Sequence, residues 1–165
     1  MKIFKLILIS FLLIVGTAHA QKGVMKVEPS LSLVFPNGEG LNTGFGINGT
    51  FFYGINKNID LTGTLGYISF GTEYDGLSFS SIPLLFGGRY SFDVEGTITP
   101  YAAAELGFQF ISSSVEINYG FGSETVSASE TEFGIGIGGG AYFQVNENIV
   151  IDGNLQFNTM GDGGE

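Results

Sequence analysis

The stretch that decides the fold is residues 43–55, TGFGINGTFFYGI, in which apolar side chains alternate with glycine and small polar residues. Its odd positions include Phe45, Ile47, Phe51 and Tyr53, whereas its even positions are mostly glycine, asparagine and threonine. A repeat of two residues with one apolar face is typical of a β-strand, because successive side chains of a strand point to opposite faces. The same alternation recurs after residue 23 and predicts seven strands, at residues 24–35, 43–55, 59–70, 79–92, 100–111, 131–145 and 149–159.

The first twenty residues have the composition of an export leader. Two lysines precede an apolar run over residues 6–15, and Ala18-His19-Ala20 offers the small-x-small site that a signal peptidase requires. The apolar run is shorter than the ~20 residues of a membrane-spanning helix. We therefore expect residues 1–20 to be a signal peptide, and residues 21–165 to form one domain.

Removal of this leader would leave no histidine and no cysteine, because His19 is the sole histidine of the chain. Ser-His-Asp and Cys-His nucleophilic systems, thiolate metal sites and histidine proton shuttles are thereby excluded. We predict a protein that is not an enzyme and uses no cofactor or metal. Four basic residues would remain against sixteen acidic ones, a formal net charge of −12, which disfavours nucleic acid as a partner.

The apolar face of the seven strands is long and contains no charged residue. Most of these strands exceed the ~5 to 6 residues usual in soluble proteins and reach the ~9 to 11 that cross a bilayer at a tilt. Charged residues are also scarcer than a soluble surface of this size carries. We predict that lipid contacts Met25, Val27, Leu31, Leu33, Phe45, Ile47, Phe51, Tyr53, Leu61, Leu65, Tyr67, Ile82, Leu84, Phe86, Tyr90, Phe92, Leu106, Phe108, Phe110, Phe133, Ile135, Ile137, Phe143, Ile149, Ile151, Leu155 and Phe157.

The predicted connections alternate in length along the chain. Short polar connections occupy residues 56–58, 93–99 and 146–148, and longer ones occupy residues 36–42, 71–78 and 112–130. Membrane barrels have short periplasmic turns and longer extracellular loops. The alternation therefore indicates such a barrel, with the first predicted strand starting on the periplasmic side.

Three segments carry a family resemblance. The first segment, residues 81–92, is SIPLLFGGRYSF, which begins with Ile-Pro and a hydrophobic residue and ends with an Arg-Tyr-x-Phe motif. The second, residues 100–107, is PYAAAELG, and the third, residues 133–145, is a glycine-rich predicted strand. Together they resemble the small outer-membrane β-barrel domain of the OmpA, OmpX and opacity-protein type. The resemblance implies an all-β fold, an antiparallel up-and-down transmembrane barrel of eight strands located in the cell outer membrane.

The C-terminus departs from that family. Family members finish on an aromatic residue that resembles the signal read by the barrel-assembly machinery, whereas this chain ends at residues 160–165, MGDGGE. Bacterial single-chain barrels have even strand numbers and no open edge. We expect the sequence to lack its eighth strand; the alternative is a seven-strand molecule that closes its first strand against its seventh.

The opposite face of the strands is the predicted barrel lumen, and it carries most of the ionisable groups in the strands. Arg89 and Glu105 lie on neighbouring strands in matching phase, and a turn centred near residue 96 or 97 would place them opposite each other. We predict a buried Arg89–Glu105 ion pair, with Lys26 as the other cation available to Glu28 and Asp152. A network of this kind stabilises a barrel interior and has no catalytic role.

Residues 134–140, GIGIGGG, superficially resemble a phosphate-binding loop. They lack the Lys-Ser/Thr pair and the following helix that such a loop requires. We predict instead that these glycines make room in a narrow lumen for Tyr142 or for bulky neighbours.

Three functions remain open from the sequence. The first is a non-catalytic outer-membrane barrel that supports the envelope or contacts an extracellular partner through its loops, with Asn118, Tyr119 and Phe121 in the predicted contact segment. Val115 and Ile117 in that segment alternate with polar residues, as in a β-ribbon that projects above the lipid. The second is a narrow pore for water or small ions. The third is a soluble, lipocalin-like periplasmic carrier of apolar ligands.

Overall fold

The computed structural model describes residues 4–15, 23–36, 41–72, 77–118, 123–145 and 149–161. It contains eight strands: β1 (Phe4–Val15), β2 (Met25–Pro36), β3 (Leu41–Gly54), β4 (Ile59–Thr72), β5 (Leu77–Ser91), β6 (Ile98–Asn118), β7 (Ser123–Gln144) and β8 (Ile149–Gly161). Each strand pairs antiparallel with its neighbours in sequence, and β1 also pairs with β8, so the sheet closes into an up-and-down barrel. The predicted fold class is confirmed. Among the described residues, no helix is long and apolar enough to cross a membrane.

The strand count differs from the seven strands expected, because β1 is formed by residues assigned to the leader. β1 pairs with β2 from Leu6↔Pro36 to Phe11↔Leu31, and with β8 from Phe4↔Met160 to Val15↔Ile149. A seven-strand sheet has two open edges, and unpaired backbone groups in lipid cost several kcal/mol each. β1 pairs with the strands at both of these edges, β2 and β8, and so provides hydrogen-bond partners for their backbone groups. Removal of residues 1–20 by a signal peptidase stays a prediction.

The apolar face of the strands is the outside of the barrel. Every side chain predicted to contact lipid that the structure describes is at least partly exposed, for example Phe45 at 67% and Phe86 at 56%. Arg89, in contrast, is 8% exposed and lies inside. An exposed apolar surface that encircles the barrel is unfavourable in water and favourable in hydrocarbon. The soluble lipocalin-like alternative requires the opposite arrangement, because a carrier of that kind keeps its apolar side chains inside.

The two ends of the barrel differ in how far the strands reach. Four residues separate β2 from β3, β4 from β5 and β6 from β7, so the connections at that end are not longer than those at the other. Most of the segment 112–130, expected as a loop, is strand: β6 and β7 extend as a projecting hairpin, which we define as residues 112–118 and 123–130. The end that carries this extension is the extracellular end by the rule for membrane barrels.

The interior of the barrel is polar toward one end and apolar toward the other. Toward the periplasmic turns it holds a polar cluster that includes Glu28, Asp60, Arg89 and Asp152, all of them buried. Toward the extracellular end it holds an apolar cluster of Val34, Ile68 and Phe70, against which Leu41, Phe79 and Ile111 pack. The narrow lumen of an eight-strand barrel is filled by side chains in this way.

Candidate functional site

Arg89 is the centre of the polar layer. Its Nη1 atom lies 3.7 Å from Glu28 Oε2 and 3.7 Å from Asp152 Oδ2, and it donates a hydrogen bond to the hydroxyl of Tyr142. The three charged side chains are at most 9% exposed. Because β2, β5 and β8 contribute one charge each, the cluster connects three separate parts of the barrel wall across the lumen.

Aromatic rings surround the guanidinium group of Arg89. Its Cζ atom lies 4.0 Å from the ring centroid of Tyr101 and 4.6 Å from that of Phe52. The Tyr101 hydroxyl donates to both carboxylate oxygens of Asp152, at 2.8 and 2.9 Å. Desolvation of a buried cation is offset by such ring contacts and by paired carboxylates. The layer is therefore a packed plug.

The structure does not contain the predicted Arg89–Glu105 pair. In the β5–β6 register Arg89 lies opposite Ala103, and Glu105 lies opposite Gly87. The register is centred on Gly96, whose φ is +132°, and a shift of the turn centre by one residue changes each cross-strand partner by two. The predicted phase was correct and the predicted partner was wrong.

Glu105 has neutral partners instead. Its Oε1 accepts hydrogen bonds from Thr62 and Thr64 at 3.3 and 3.2 Å, and its Oε2 accepts one from Gln156 at 2.9 Å. Asn48 donates to Ser32 in the same polar region of the lumen, at 3.1 Å. This hydrogen-bonded layer lies between the plug and the apolar cluster at the extracellular end.

Lys26 lies at the periplasmic end of β2, beside the plug. Its position on the lumen face follows from its pairing with Phe52, which contacts Arg89. Asp60 lies on the same face and directly opposite Arg89 in the β4–β5 register. The cations and carboxylates thus alternate around this level of the barrel, which favours pairing over repulsion.

Glycines within residues 134–140 provide space for bulky side chains from neighbouring strands, which was one of the two predicted alternatives, and Tyr101 is one of these side chains. A Cβ atom placed on Gly140 would lie 2.7 Å from Cζ of Tyr101, so the ring of Tyr101 requires the absence of a side chain there. On Gly136 it would lie 2.6 Å from Nε2 of Gln156. The run of glycines on β7 therefore positions the partners of Asp152 and Glu105.

Tyr101 is the lumen residue that the sequence analysis missed. It is 4% exposed and packs at 5.1 Å, centroid to centroid, against Tyr142. Its phase could have identified it, because Tyr101 is separated by an even number of residues from Glu105, which had been placed in the lumen.

An ion pair outside the membrane provides a contrast to the plug. Nζ of Lys57 lies 2.6 Å from Oδ2 of Asp93, and both side chains are more than 70% exposed. The hydrogen bond and the negative charge of Asp93 raise the pKa of Lys57 above its usual value. Exposed pairs of this kind contribute little to stability.

Of the predicted surface contact residues, the structure describes Asn118, which lies in the projecting hairpin. Asn118 is the last residue of β6 and pairs with Ser123, the first residue of β7. Tyr119 and Phe121 lie outside the described residues. Gly161, at the end of β8, pairs with Phe133, and the described part of the chain includes no strand beside β7 from residue 123 to residue 132 on that side. Among the described residues, this segment of β7 has no strand partner on that side, and we call it the β7 edge.

Several known proteins are similar to this chain in sequence or in structure. The PagN outer membrane protein of Salmonella typhimurium is 37% identical over 79 residues, which are 47% of this chain and 33% of that protein, so the match spans about a third of the relative's length. Among solved structures, Neisserial surface protein A aligns over 95% of both chains with 16% identity and a TM-score of 0.46. Ail of Yersinia pestis aligns over 97% of this chain and 99% of its own, with 14% identity and a TM-score of 0.38.

The family itself is shown by a match over nearly the whole sequence. Residues 6–164 match the model described as the outer membrane protein beta-barrel domain. The closed sheet and the exposed apolar band are the features that such a domain requires in a bilayer. This chain belongs to the outer membrane protein β-barrel domain family and is located in the outer membrane.

Proposed function

We propose that this protein is a non-catalytic surface barrel that binds an extended, basic segment of an extracellular partner along its β7 edge. The observation that carries the proposal is the projecting hairpin, whose β7 edge has no strand partner in the described part of the chain. An edge strand presents free N–H and C=O groups, to which another strand adds by main-chain hydrogen bonds. The barrel, anchored in lipid by its apolar band, holds this edge above the membrane.

The charge of the β7 edge indicates the partner's chemistry. Glu124, Glu130 and Glu132 lie along the edge segment, and no lysine or arginine occurs between residues 123 and 132. Acidic side chains on an edge strand repel a second copy of the same edge and so reduce self-association. They attract a strand that carries lysine or arginine in register.

The narrow pore is disfavoured by the polar plug. Arg89, Tyr101 and Tyr142 are each no more than 8% exposed and contact one another across the lumen. Free conduction through an eight-strand barrel would require these side chains to move apart. The sequence contains no cysteine and a single histidine, His19, which supports a role without catalysis. Insertion by the barrel-assembly machinery stays a prediction.

Binding of synthetic peptides to the barrel in phosphatidylcholine nanodiscs tests the proposal. A ten-residue peptide of alternating lysine and valine should bind, and one of alternating glutamate and valine should not. Deletion of residues 118–127 shortens the projecting hairpin and should abolish binding, while the barrel keeps its heat-modifiable gel mobility. A deletion that unfolds the barrel would contradict the assignment of this segment to a region outside the membrane.

A lysine–proline peptide of equal charge separates strand addition from general attraction to acidic residues. Proline lacks the N–H group that a strand donates, so this peptide should bind far more weakly than the lysine–valine peptide. Equal binding of the two would show that charge alone is recognised and would refute strand addition.

A further inference from the structure

We propose that the extracellular mouth of the barrel is a binding cup for a small amphiphile with an apolar body and a cationic group. The cup is a cavity of about 480 Å³ above the apolar cluster of the lumen. It is lined by Pro36, Leu41, Phe70, Phe79, Ser81, Gln109, Ile111, Ser113, Ala128, Ser129, Glu130 and Glu132. Its volume falls within the range of ~300 to 1,000 Å³ typical of sites for small ligands.

The floor of the cup is apolar. Phe70 and Phe79 meet edge to face at 5.6 Å between centroids, and Ile111 packs against the same cluster. The polar groups at this level satisfy each other, since the Ser81 hydroxyl donates to Oε1 of Gln109 at 3.0 Å. A ligand group that reaches the floor therefore gains by being apolar, because it displaces water from aromatic and aliphatic side chains.

One wall of the cup is acidic. Glu130 and Glu132 alternate along β7 on its lumen side, in phase with the buried Gly134, and lie opposite Ile111 and Gln109 in the register with β6. Among the described residues that line the cup, none is basic. The two carboxylates therefore attract a cation placed above an apolar floor, and they disfavour an anion of the same shape.

The cup is separate from the plug, and it shares Glu130 and Glu132 with the β7 edge. It opens inside the barrel mouth, whereas the edge is the outer hydrogen-bonding side of β7. The hydrogen-bonded layer around Glu105 lies between the cup and Arg89. Strand addition to the β7 edge uses main-chain N–H and C=O groups, which a small amphiphile without amide groups does not engage, so each proposal can fail alone.

Three probes of equal shape test the cup: phenylbutylammonium, phenylbutanol and phenylbutyrate. Each is titrated calorimetrically into the barrel in phosphatidylcholine nanodiscs, and the signal from empty nanodiscs is subtracted. We expect the ammonium to bind most tightly, the alcohol more weakly and the carboxylate least. Equal binding of all three, or binding of none, would overturn the proposal.

Substitutions then locate the site. Glu130→Gln and Glu132→Gln should each weaken the binding of phenylbutylammonium about two- to fivefold, which is the effect of losing one partly exposed ion pair. The affinity for phenylbutanol should stay unchanged. Glu95→Gln is the matched control, because it removes one carboxylate from an exposed turn at the periplasmic end. Ala128→Trp fills the cup and should abolish binding of both ligands, with folding checked by gel mobility. If Glu130→Gln behaves like Glu95→Gln, or if Ala128→Trp still binds, the cup is not the site.

Discussion

Replacement of Arg89 by methionine isolates the electrostatic contribution of the plug. Methionine has a similar length but no charge, so Glu28 and Asp152 lose the cation that both contact at 3.7 Å. Those two carboxylate oxygens share one partner atom and are therefore no more than about 7.4 Å apart, twice 3.7 Å. At an effective dielectric constant of ~20, two ionised carboxylates at that separation repel by about 2 kcal/mol, and uptake of a proton by one of them reduces this cost.

The lost attraction adds to this repulsion, and the removal of one partner from a buried charge cluster typically costs ~3 to 5 kcal/mol. We expect Arg89→Met to lower the free energy of unfolding by that amount. The measurement is urea unfolding of the barrel in phosphatidylcholine vesicles, with the folded fraction read from heat-modifiable gel mobility and extrapolated linearly to water.

A compensating variant separates charge from packing. Arg89→Met combined with Glu28→Gln and Asp152→Asn removes all three charges and keeps hydrogen-bonding groups in place, so it should recover most of the loss. Lys57→Met is the control for loss of a cation from an exposed pair and should leave stability at neutral pH unchanged. A loss below about 1 kcal/mol for Arg89→Met, or a triple variant as unstable as the single one, would refute the electrostatic account.

Two further substitutions test the wall of the barrel. Gly140→Ala places a Cβ atom against the ring of Tyr101 and should lower the thermal midpoint of the barrel. Gly153→Ala is the control, because its Cβ atom meets nothing within 4 Å, and it should leave the midpoint unchanged. Equal midpoints for the two variants would show that Tyr101 does not need the space. Leu65→Lys introduces a charge at the middle of β4 on the lipid face. It should lower the free energy of unfolding, measured in the urea titration, by ~2 to 4 kcal/mol. An unchanged free energy of unfolding would contradict burial of that position in hydrocarbon.

The outward and inward faces of the strands were predictable from the sequence, because the two-residue period is a local property of each strand. Residues 43–55 reveal their apolar face without reference to any other part of the chain, and β3 follows with Phe45 and Ile47 outside. The inward orientation of the Arg89 side chain was predictable in the same way. The identity of β1 was not, because a run of apolar residues such as 6–15 fits a leader and a closing strand equally well.

The partners of Arg89 were decided only by the tertiary structure. Glu28, Asp152 and Tyr101 reach it from three other strands, and their height relative to Arg89 depends on the register of every hairpin between them. A single turn centred on Gly96 was enough to replace Glu105 by Ala103 as the cross-strand neighbour. Alternation along a strand is encoded by adjacent residues, whereas contacts across a lumen depend on the summed offsets of turns and on barrel closure, which no local pattern specifies.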